Sequence, residues 1–192
     1  ITAGIKKLLK DNKIMAKHLH IPIQSGSDKI LKLMNRRYTK SEFLSMVDEL
    51  KEIDDISLTT DLIIGFPNEE NMEFEETIST LKEIGFTKIH TFPYSKRKGT
   101  VAASMQGQVD SQVKKKRVHT ILDLSNNYEH DFYVSKIGKI YDGVVEIHSN
   151  GTILVHTSNF IPVIIYDKVE NNSIVNVKIE KVDGLNVYGR VV

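Results

Sequence analysis

The sequence has 192 residues, 40% of them hydrophobic and 27% charged, a composition typical of a globular protein with a substantial core. Its 26 Lys and Arg residues balance its 25 Asp and Glu residues, so no overall charge favours a nucleic-acid partner and any basic surface must be local. The absence of cysteine excludes disulfides, thiolate zinc sites and thiolate-ligated iron–sulfur clusters within these residues.

In the first half of the sequence, apolar strand patterns run three times into polar loops that contain Gly or Pro. The strands are predicted at residues 18–24, 57–64 and 88–94. Helices are predicted after the first two, with Ser27 as one cap and a capping box formed by Thr39 and Glu42. Repeated strand–loop–helix units predict an α/β protein with a parallel sheet or barrel, in which the working loops follow the strands.

The last part of the sequence has a different pattern. A long helix is predicted to start at Asp110 as its cap and to end at Gly138. Short β-rich runs follow, with hairpin turns predicted at Asn150-Gly151 and Asp183-Gly184. Five such strands predict a small antiparallel barrel of the oligonucleotide-binding type. We therefore expect two domains, residues 1–138 and 139–192.

One group of polar residues lies on neighbouring predicted strands. It consists of His18, His20, Asp61 and His90. One hypothesis is a metal-dependent barrel hydrolase that uses these side chains as ligands. The simpler interpretation is a polar barrel interior, since no further histidine-rich strand end completes a ligand set. Because Asp61 stands among apolar residues, its carboxylate needs either a structural partner or a ligand.

Several further segments offer binding groups. At two strand ends, backbone amides and the Gln24 amide suit a nucleotide-like ligand, although ordinary turn chemistry also explains the Gly and Pro residues there. The basic run at residues 95–100 can bind phosphates, or it can be a solvated loop. In the second predicted domain, His156, Asn159 and Phe160 suit RNA, unless the phenyl ring belongs to the core.

Taken in order, several segments resemble the radical S-adenosylmethionine (SAM) methylthiotransferase family. They are His20-Ile-Pro-Ile-Gln-Ser-Gly-Ser27, Met34-Asn-Arg-Arg-Tyr-Thr39, Thr60-Asp-Leu-Ile-Ile-Gly-Phe-Pro67 and Phe92-Pro-Tyr-Ser-Lys-Arg-Lys-Gly-Thr100. Residues 139–192 resemble the RNA-binding TRAM domain that ends these enzymes. The resemblance implies the second half of a partial (β/α) TIM-like radical SAM barrel, followed by a small antiparallel, OB-like TRAM barrel.

The resemblance also implies an activity, which is the addition of a methylthio group to an adenine of tRNA. Such an enzyme uses SAM, two [4Fe-4S] clusters and an electron donor. His90 before Phe92-Pro-Tyr-Ser, together with residues 151–160, is most similar to the branch that acts on threonylcarbamoyladenosine beside the anticodon. The family's cluster domain and its Cys-x-x-x-Cys-x-x-Cys motif are absent, so we expect an inactive C-terminal fragment.

Site residues carried over from the resemblance form three sets, none of them catalytic or metal-binding. SAM is expected to contact Gln24, Ser25, Asp61, Gly65 and Pro67. Substrate or the tRNA anticodon stem-loop is expected to contact Arg36, Tyr94 and Arg97, and in the TRAM region His156, Asn159 and Phe160. The sequence departs from the family at Lys96, Lys98 and Val101, where proline is common, and at Asn68, where glycine is usual.

Three alternatives remain open at this point. They are a stand-alone RNA-binding module, the metal-dependent hydrolase, and a sister methylthiotransferase that acts on isopentenyladenosine in tRNA or on an aspartate of a ribosomal protein. Neither a signal peptide nor an apolar run of membrane length follows Ile1, so we expect a cytoplasmic protein without a membrane partner. The exposed sheet edges of a half barrel are expected to let two copies dimerise.

Overall fold

A computed structural model of the chain describes residues 3–12, 15–149 and 151–192. Its contacts form two compact units. Unit 1 contains Ile1–Leu19, Ile53–Ser57 and Asn126–Val192, and unit 2 contains His20–Glu52 and Leu58–Ser125. The sequence-based boundary near residue 138 stays a prediction. Within the described ranges, no helix is both long enough and apolar enough to cross a membrane.

Strands and helices alternate through the first two thirds of the chain. In order they are α1 (Ala3–Asp11), β1 (His18–His20), α2 (Asp28–Leu33), α3 (Lys40–Lys51), β2 (Ser57–Ile64), α4 (Asn71–Ile84), β3 (Lys88–Pro93), α5 (Val101–Ser104) and α6 (Ser111–Val134). The sheet has the order β1-β2-β3, and β2 and β3 run parallel with Asp61 opposite His90. The predicted α/β arrangement with parallel strands is therefore confirmed for this pair. Pairing of two copies through the sheet edges stays a prediction.

The first predicted strand is shorter in the structure than in the sequence interpretation. Regular pairing covers His18–His20, and Gln24 joins β2 through a single parallel bridge to Leu62. Pro22 has no N–H to donate, and Gln24 has a left-handed backbone with a φ of 66°. The chain therefore leaves the ladder between these points instead of continuing as one strand to residue 24.

Helix ends follow the predicted local signals in most places. Thr39 and Glu42 form the predicted capping box of α3, because each side chain accepts a hydrogen bond from the other residue's backbone N–H. Asp110 Oδ1 accepts from the Gln112 N–H at 2.8 Å and so caps α6. Ser27 occupies the predicted N-cap position of α2, but its buried hydroxyl makes no capping hydrogen bond and has no partner among the described residues.

The long helix ends at Val134, before the predicted end at Gly138. Lys136 and Ile137 donate their N–H groups to the carbonyls three residues earlier, at 3.0 and 3.2 Å. These tighter bonds turn the chain out of the α-helix ahead of the glycine. Gly138 then adopts a φ of 84° and donates its N–H to Ile179 O at 2.8 Å.

Five strands of unit 1 close into a barrel. They are β4 (Ile140–Ile147), β5 (Ile153–Thr157), β6 (Pro162–Ile165), β7 (Ile174–Asp183) and β8 (Asn186–Val191), in the order β4-β5-β6-β8-β7. The predicted barrel is confirmed, but β6 and β8 pair in parallel, so it is not purely antiparallel. Its interior is filled by Tyr133, Val145, Val155, Ile161, Val163, Ile165, Val177, Ile179 and Val187. The Asp183-Gly184 turn joins β7 to β8, whereas Asn150 of the other predicted turn lies outside the described residues.

Candidate functional site

A cavity of about 510 Å³ opens in unit 2 beside the C-terminal ends of β2 and β3. It is lined by Gln24, Asp61, Ile63, Phe66, Phe92, Pro93, Tyr94, Ser95, Arg97, Thr100 and Ala102. The cavity thus brings together four residues that were predicted as site residues. Gln24 and Asp61 are expected to contact SAM, and Tyr94 and Arg97 are expected to contact substrate or RNA. Parallel strands end at the same edge of a sheet, which explains why segments far apart in sequence meet there.

Asp61 is held at this cavity by a histidine. Its Oδ2 lies 3.3 Å from His20 Nε2, and the other ring nitrogen of His20 lies 3.0 Å from Thr59 Oγ1. The His90 ring is 5.7 Å from that of His20. The Asp61 side chain keeps 33% of its surface exposed, so the carboxylate has both a partner and access to a ligand.

A metal centre was the competing interpretation of these histidines. In residues 3–12, 15–149 and 151–192, no group of three or more His, Cys, Asp or Glu side chains is placed to hold a metal ion. The His20–Asp61 contact instead supports the simpler interpretation of a polar sheet face with its own internal partners.

The backbone of Gln24 is fixed by β2. Its N–H donates to Asp61 O, and its own carbonyl accepts from the Ile63 N–H, both at 2.9 Å. With a φ of 66°, the residue turns the chain away from the ladder, and it lines the cavity. Its neighbour Ser25 is 1% exposed, accepts the Ser27 N–H at 3.2 Å and does not line the cavity. Ser25 therefore shapes the loop.

Gly65 and Pro67 are both buried and shape the loop that carries the cavity residue Phe66. Gly65 has a φ of 73°, and a β-carbon on it would overlap the Cγ of Lys114. Asn68 stands where the family usually has glycine and has a φ of 67°, a conformation that asparagine tolerates better than most residues. Asn68 can therefore adopt this left-handed conformation without a glycine.

A buried ion pair, missed by the sequence interpretation, supports the same loop. Arg117 Nη1 donates to Oε1 and to the carbonyl of Glu69, both at 2.9 Å, and the residues are 6% and 3% exposed. Burial raises the pKa of Glu69, while the Gly65 N–H at 3.0 Å and the guanidinium of Arg117 oppose that rise. One feature of the sequence indicates that Arg117 is buried. Arg117, Ile121 and Ser125 recur every four residues, which places them together on the buried side of α6.

The expected substrate residues occupy different places. Tyr94 packs edge-on against Phe66, with ring centroids 5.2 Å apart, and its carbonyl accepts from Lys114 Nζ at 3.1 Å. Arg97 is exposed and lines the cavity. Arg36 is exposed in the turn after α2 and is not part of the described lining.

In unit 1, a second cavity of about 420 Å³ lies on the barrel and includes His156 and Phe160 in its wall. Phe160 is 59% exposed with a φ of 69°, so the alternative that its ring belongs to the core is wrong. Its ring is stacked on His18 at a centroid distance of 4.5 Å. An exposed aromatic ring beside a cavity is the kind of surface on which an unpaired base can stack.

The other two residues expected at RNA already have partners. His156 Nε2 lies 2.8 Å from Glu146 Oε2 at the surface of the barrel. Asn159 is only 2% exposed, and its Oδ1 accepts from Thr157 Oγ1 at 2.6 Å. In this conformation, the Asn159 amide shapes the turn that presents Phe160 and is not open to a ligand.

Comparison with known proteins finds a superfamily match and several named relatives. Residues 2–81 match the radical SAM superfamily. The relatives include proteins named tRNA-2-methylthio-N(6)-dimethylallyladenosine synthase from Acetivibrio thermocellus (43% identity), Thermodesulfovibrio yellowstonii (39%) and Thermoanaerobacter sp. X514 (36%). The alignments cover 72%, 96% and 96% of this chain, which spans 29%, 43% and 40% of those relatives' lengths. Their names do not support the expected threonylcarbamoyladenosine branch.

Proposed function

Because the superfamily match and these relatives support the radical SAM tRNA methylthiotransferase family, we propose that this chain is the SAM- and tRNA-binding part of such an enzyme. The observation that carries the proposal is the 510 Å³ cavity, which gathers Gln24 and Asp61 with Tyr94 and Arg97. A cofactor and a polynucleotide substrate need adjoining sites if they are to react with each other.

The lining of the cavity fits a nucleoside such as the adenosyl part of SAM. Ile63, Phe66 and Phe92 offer apolar surface for an adenine, while the Gln24 amide and the Asp61 carboxylate offer polar groups for its edges or for ribose hydroxyls. When bound, SAM would supply the radical chemistry that activates an adenine C–H bond. The residues of this chain would bind and orient it.

An iron–sulfur cluster does not fit these residues. Thiolates ligate such clusters, and the 192 residues contain no cysteine. In an enzyme that contains this chain, the cluster ligands therefore come from other residues. The chain alone is proposed to bind but not to catalyse.

For the barrel we propose the RNA-binding role of a TRAM domain. Support comes from the closed five-stranded topology and from the exposed Phe160 ring at the mouth of a cavity. Small closed barrels commonly bind single-stranded nucleic acids through such stacking rings. The RNA bound is proposed to be the anticodon stem-loop of the substrate tRNA.

Two substrates are candidates. The names of the relatives favour dimethylallyladenosine, also called isopentenyladenosine, and this is our main proposal. Threonylcarbamoyladenosine is the second candidate, and His90 before Phe92-Pro-Tyr-Ser favours it. His90 lies opposite Asp61 in the register of β2 and β3, next to the cavity.

Nucleoside mass spectrometry tests the proposal. The gene product that contains this chain would be expressed in a bacterial host that lacks its own tRNA methylthiotransferases, and the tRNA would be digested and analysed. We expect the 2-methylthio derivative of dimethylallyladenosine. The same derivative of threonylcarbamoyladenosine would select the second candidate, whereas neither derivative from an enzyme with intact clusters would contradict both.

A further inference from the structure

Positive charge is unevenly distributed along the chain. Residues 139–192, which form the barrel, carry five Lys or Arg against six Asp or Glu. Residues 94–117 of unit 2 carry seven Lys or Arg against one Asp. A polyanion would therefore meet stronger attraction along this segment than on the barrel.

Two of these seven cations have structural partners. Lys114 Nζ donates to the carbonyl of Tyr94 at 3.1 Å, and its stem covers Gly65. Arg117 is buried in its ion pair with Glu69 and also donates to Asn71 Oδ1 at 2.9 Å. These two residues attach the start of α6 to the loops around the cavity.

The other five cations are exposed and form no ion pair with a carboxylate in the described part of the chain. We call them the basic strip, which consists of Lys96, Arg97, Lys98, Lys115 and Lys116. The Lys114–Tyr94 hydrogen bond joins the two runs that contribute to it, because Tyr94 lies two residues before Lys96 and Lys114 directly precedes Lys115. Like charges placed together without acidic partners repel one another, so an anionic ligand would relieve the repulsion.

The basic strip reaches the cavity. Arg97 belongs both to the strip and to the lining that contains Asp61 and Gln24. A phosphate held at Arg97 would place the attached nucleotide at the rim of the cavity, so a chain of phosphates along the strip would lead a base toward it. Nucleic acid supplies phosphates in such a series.

We propose that the basic strip is the main phosphate-binding surface for the substrate RNA, an inference that rests on the proposed function. The barrel then contributes stacking with little electrostatic attraction. Affinity that comes from phosphate contacts falls linearly in a plot of log affinity against log salt concentration. Each phosphate contact makes this slope more negative, by about 0.7 for single strands and about 0.9 for duplexes.

The test measures this slope for the 192-residue chain and a fluorescent anticodon stem-loop RNA. The double variant Lys96→Gln/Lys98→Gln is expected to lower the magnitude of the slope by about 1.4–1.8, from two phosphate contacts. The control Lys82→Gln/Lys168→Gln removes two exposed lysines outside the strip and should leave the slope unchanged. Urea denaturation midpoints equal to the parent would show that all variants fold alike.

An unchanged slope in Lys96→Gln/Lys98→Gln, or an equal change in the control, would overturn the proposal. So would tight binding to phosphatidylserine vesicles without binding to RNA, because the strip would then serve a membrane surface. The proposed function fails by a different readout, the absence of a methylthiolated nucleoside. The two failures are therefore distinguishable.

Discussion

The imidazole ring of His18 lies flat against the phenyl ring of Phe160, with 4.5 Å between centroids and 18° between planes. His18 Nδ1 is in turn 3.2 Å from Ser57 Oγ. One face of Phe160 is therefore covered within unit 1, while the residue as a whole stays 59% exposed. Because its neighbours already fix the ring, a base that stacks on it would lose less side-chain entropy on binding.

Removing this ring is predicted to weaken RNA binding. Stacking of a base on an aromatic side chain contributes about 1–3 kcal/mol, so Phe160→Ala should lower the affinity for the anticodon stem-loop roughly 5- to 150-fold. Fluorescence anisotropy measures the affinity, and the salt slope should not change. Tyr166→Ala is the control, since Tyr166 is an 83% exposed aromatic residue of the same unit. Equal affinities of parent and Phe160→Ala would contradict the stacking role.

Arg117→Met is predicted to destabilise the chain in a pH-dependent way. Removing one partner of a buried ion pair typically costs about 3–5 kcal/mol, because the other charge is left uncompensated. Burial raises the pKa of Glu69, and loss of the guanidinium would raise it further. A carboxyl whose pKa is higher in the folded state stabilises the fold when protonated, and this stability is lost as the pH rises through that pKa.

Denaturation in urea at pH 5 and pH 8 checks this prediction. The deficit of Arg117→Met relative to the parent should be larger at pH 8. In the double variant Arg117→Met/Glu69→Gln, which has no titrating carboxyl at position 69, the increase of the deficit from pH 5 to pH 8 should disappear. A deficit equal at both pH values in the single variant would count against an ionised, uncompensated Glu69.

Two glycines with similar backbones allow a matched comparison. Gly65 and Gly85 have φ values of 73° and 64°, but a β-carbon on Gly85 would meet nothing within 4 Å, whereas one on Gly65 would overlap Lys114. Gly85→Ala should cost about 1–2 kcal/mol for the left-handed backbone alone. Gly65→Ala should cost about 1–3 kcal/mol more, because of overpacking.

A double-mutant cycle with Lys114→Ala isolates that contact. If the excess cost comes from the overlap, Gly65→Ala should be much less costly in the Lys114→Ala background than in the parent. Equal costs of Gly65→Ala and Gly85→Ala, measured by urea denaturation, would show that the Lys114 stem moves aside freely.

Asp61→Asn is predicted to weaken SAM binding. A hydrogen bond to a charged group contributes about 1.5–3 kcal/mol, so its loss should lower the affinity roughly 10- to 150-fold. Isothermal titration calorimetry of SAM with the cluster-loaded protein that contains this chain measures the change. Asp48→Asn, an exposed carboxylate on α3, is the control. Unaltered SAM affinity in Asp61→Asn would remove Asp61 from the cofactor site.

The sequence predicted those parts of the fold that depend on neighbouring residues. Thr39 with Glu42 and Asp110 with the start of α6 are short-range pairs, and both formed as expected. The parallel β6–β8 pair could not be predicted, because nothing local sets the register of strands separated by β7. The buried Ser27 hydroxyl was also missed, since its surroundings come from tertiary packing.

The residues of the candidate site also divide into those that could be predicted from the sequence and those that depend on tertiary contacts. Gln24 and Asp61 could be linked to Tyr94 and Arg97, because parallel strands place their ends at one edge. The contact between Arg117 and Glu69 joins residues 48 apart, and the four-residue spacing that places Arg117 on the buried side of α6 does not identify its partner. Asn159 was expected to contact RNA, but the Thr157 hydroxyl donates to its amide oxygen inside a turn.

The way β8 closes the barrel has a consequence for synthesis in the cell. β8 pairs with both β6 and β7, and its Val187 is fully buried in the barrel interior. While a ribosome is still translating this stretch, the other four strands have two open edges and lack Val187 in the interior. Barrel folding must therefore wait until residue 191 has left the exit tunnel. A stop codon before residue 186 would yield a truncated chain prone to aggregation.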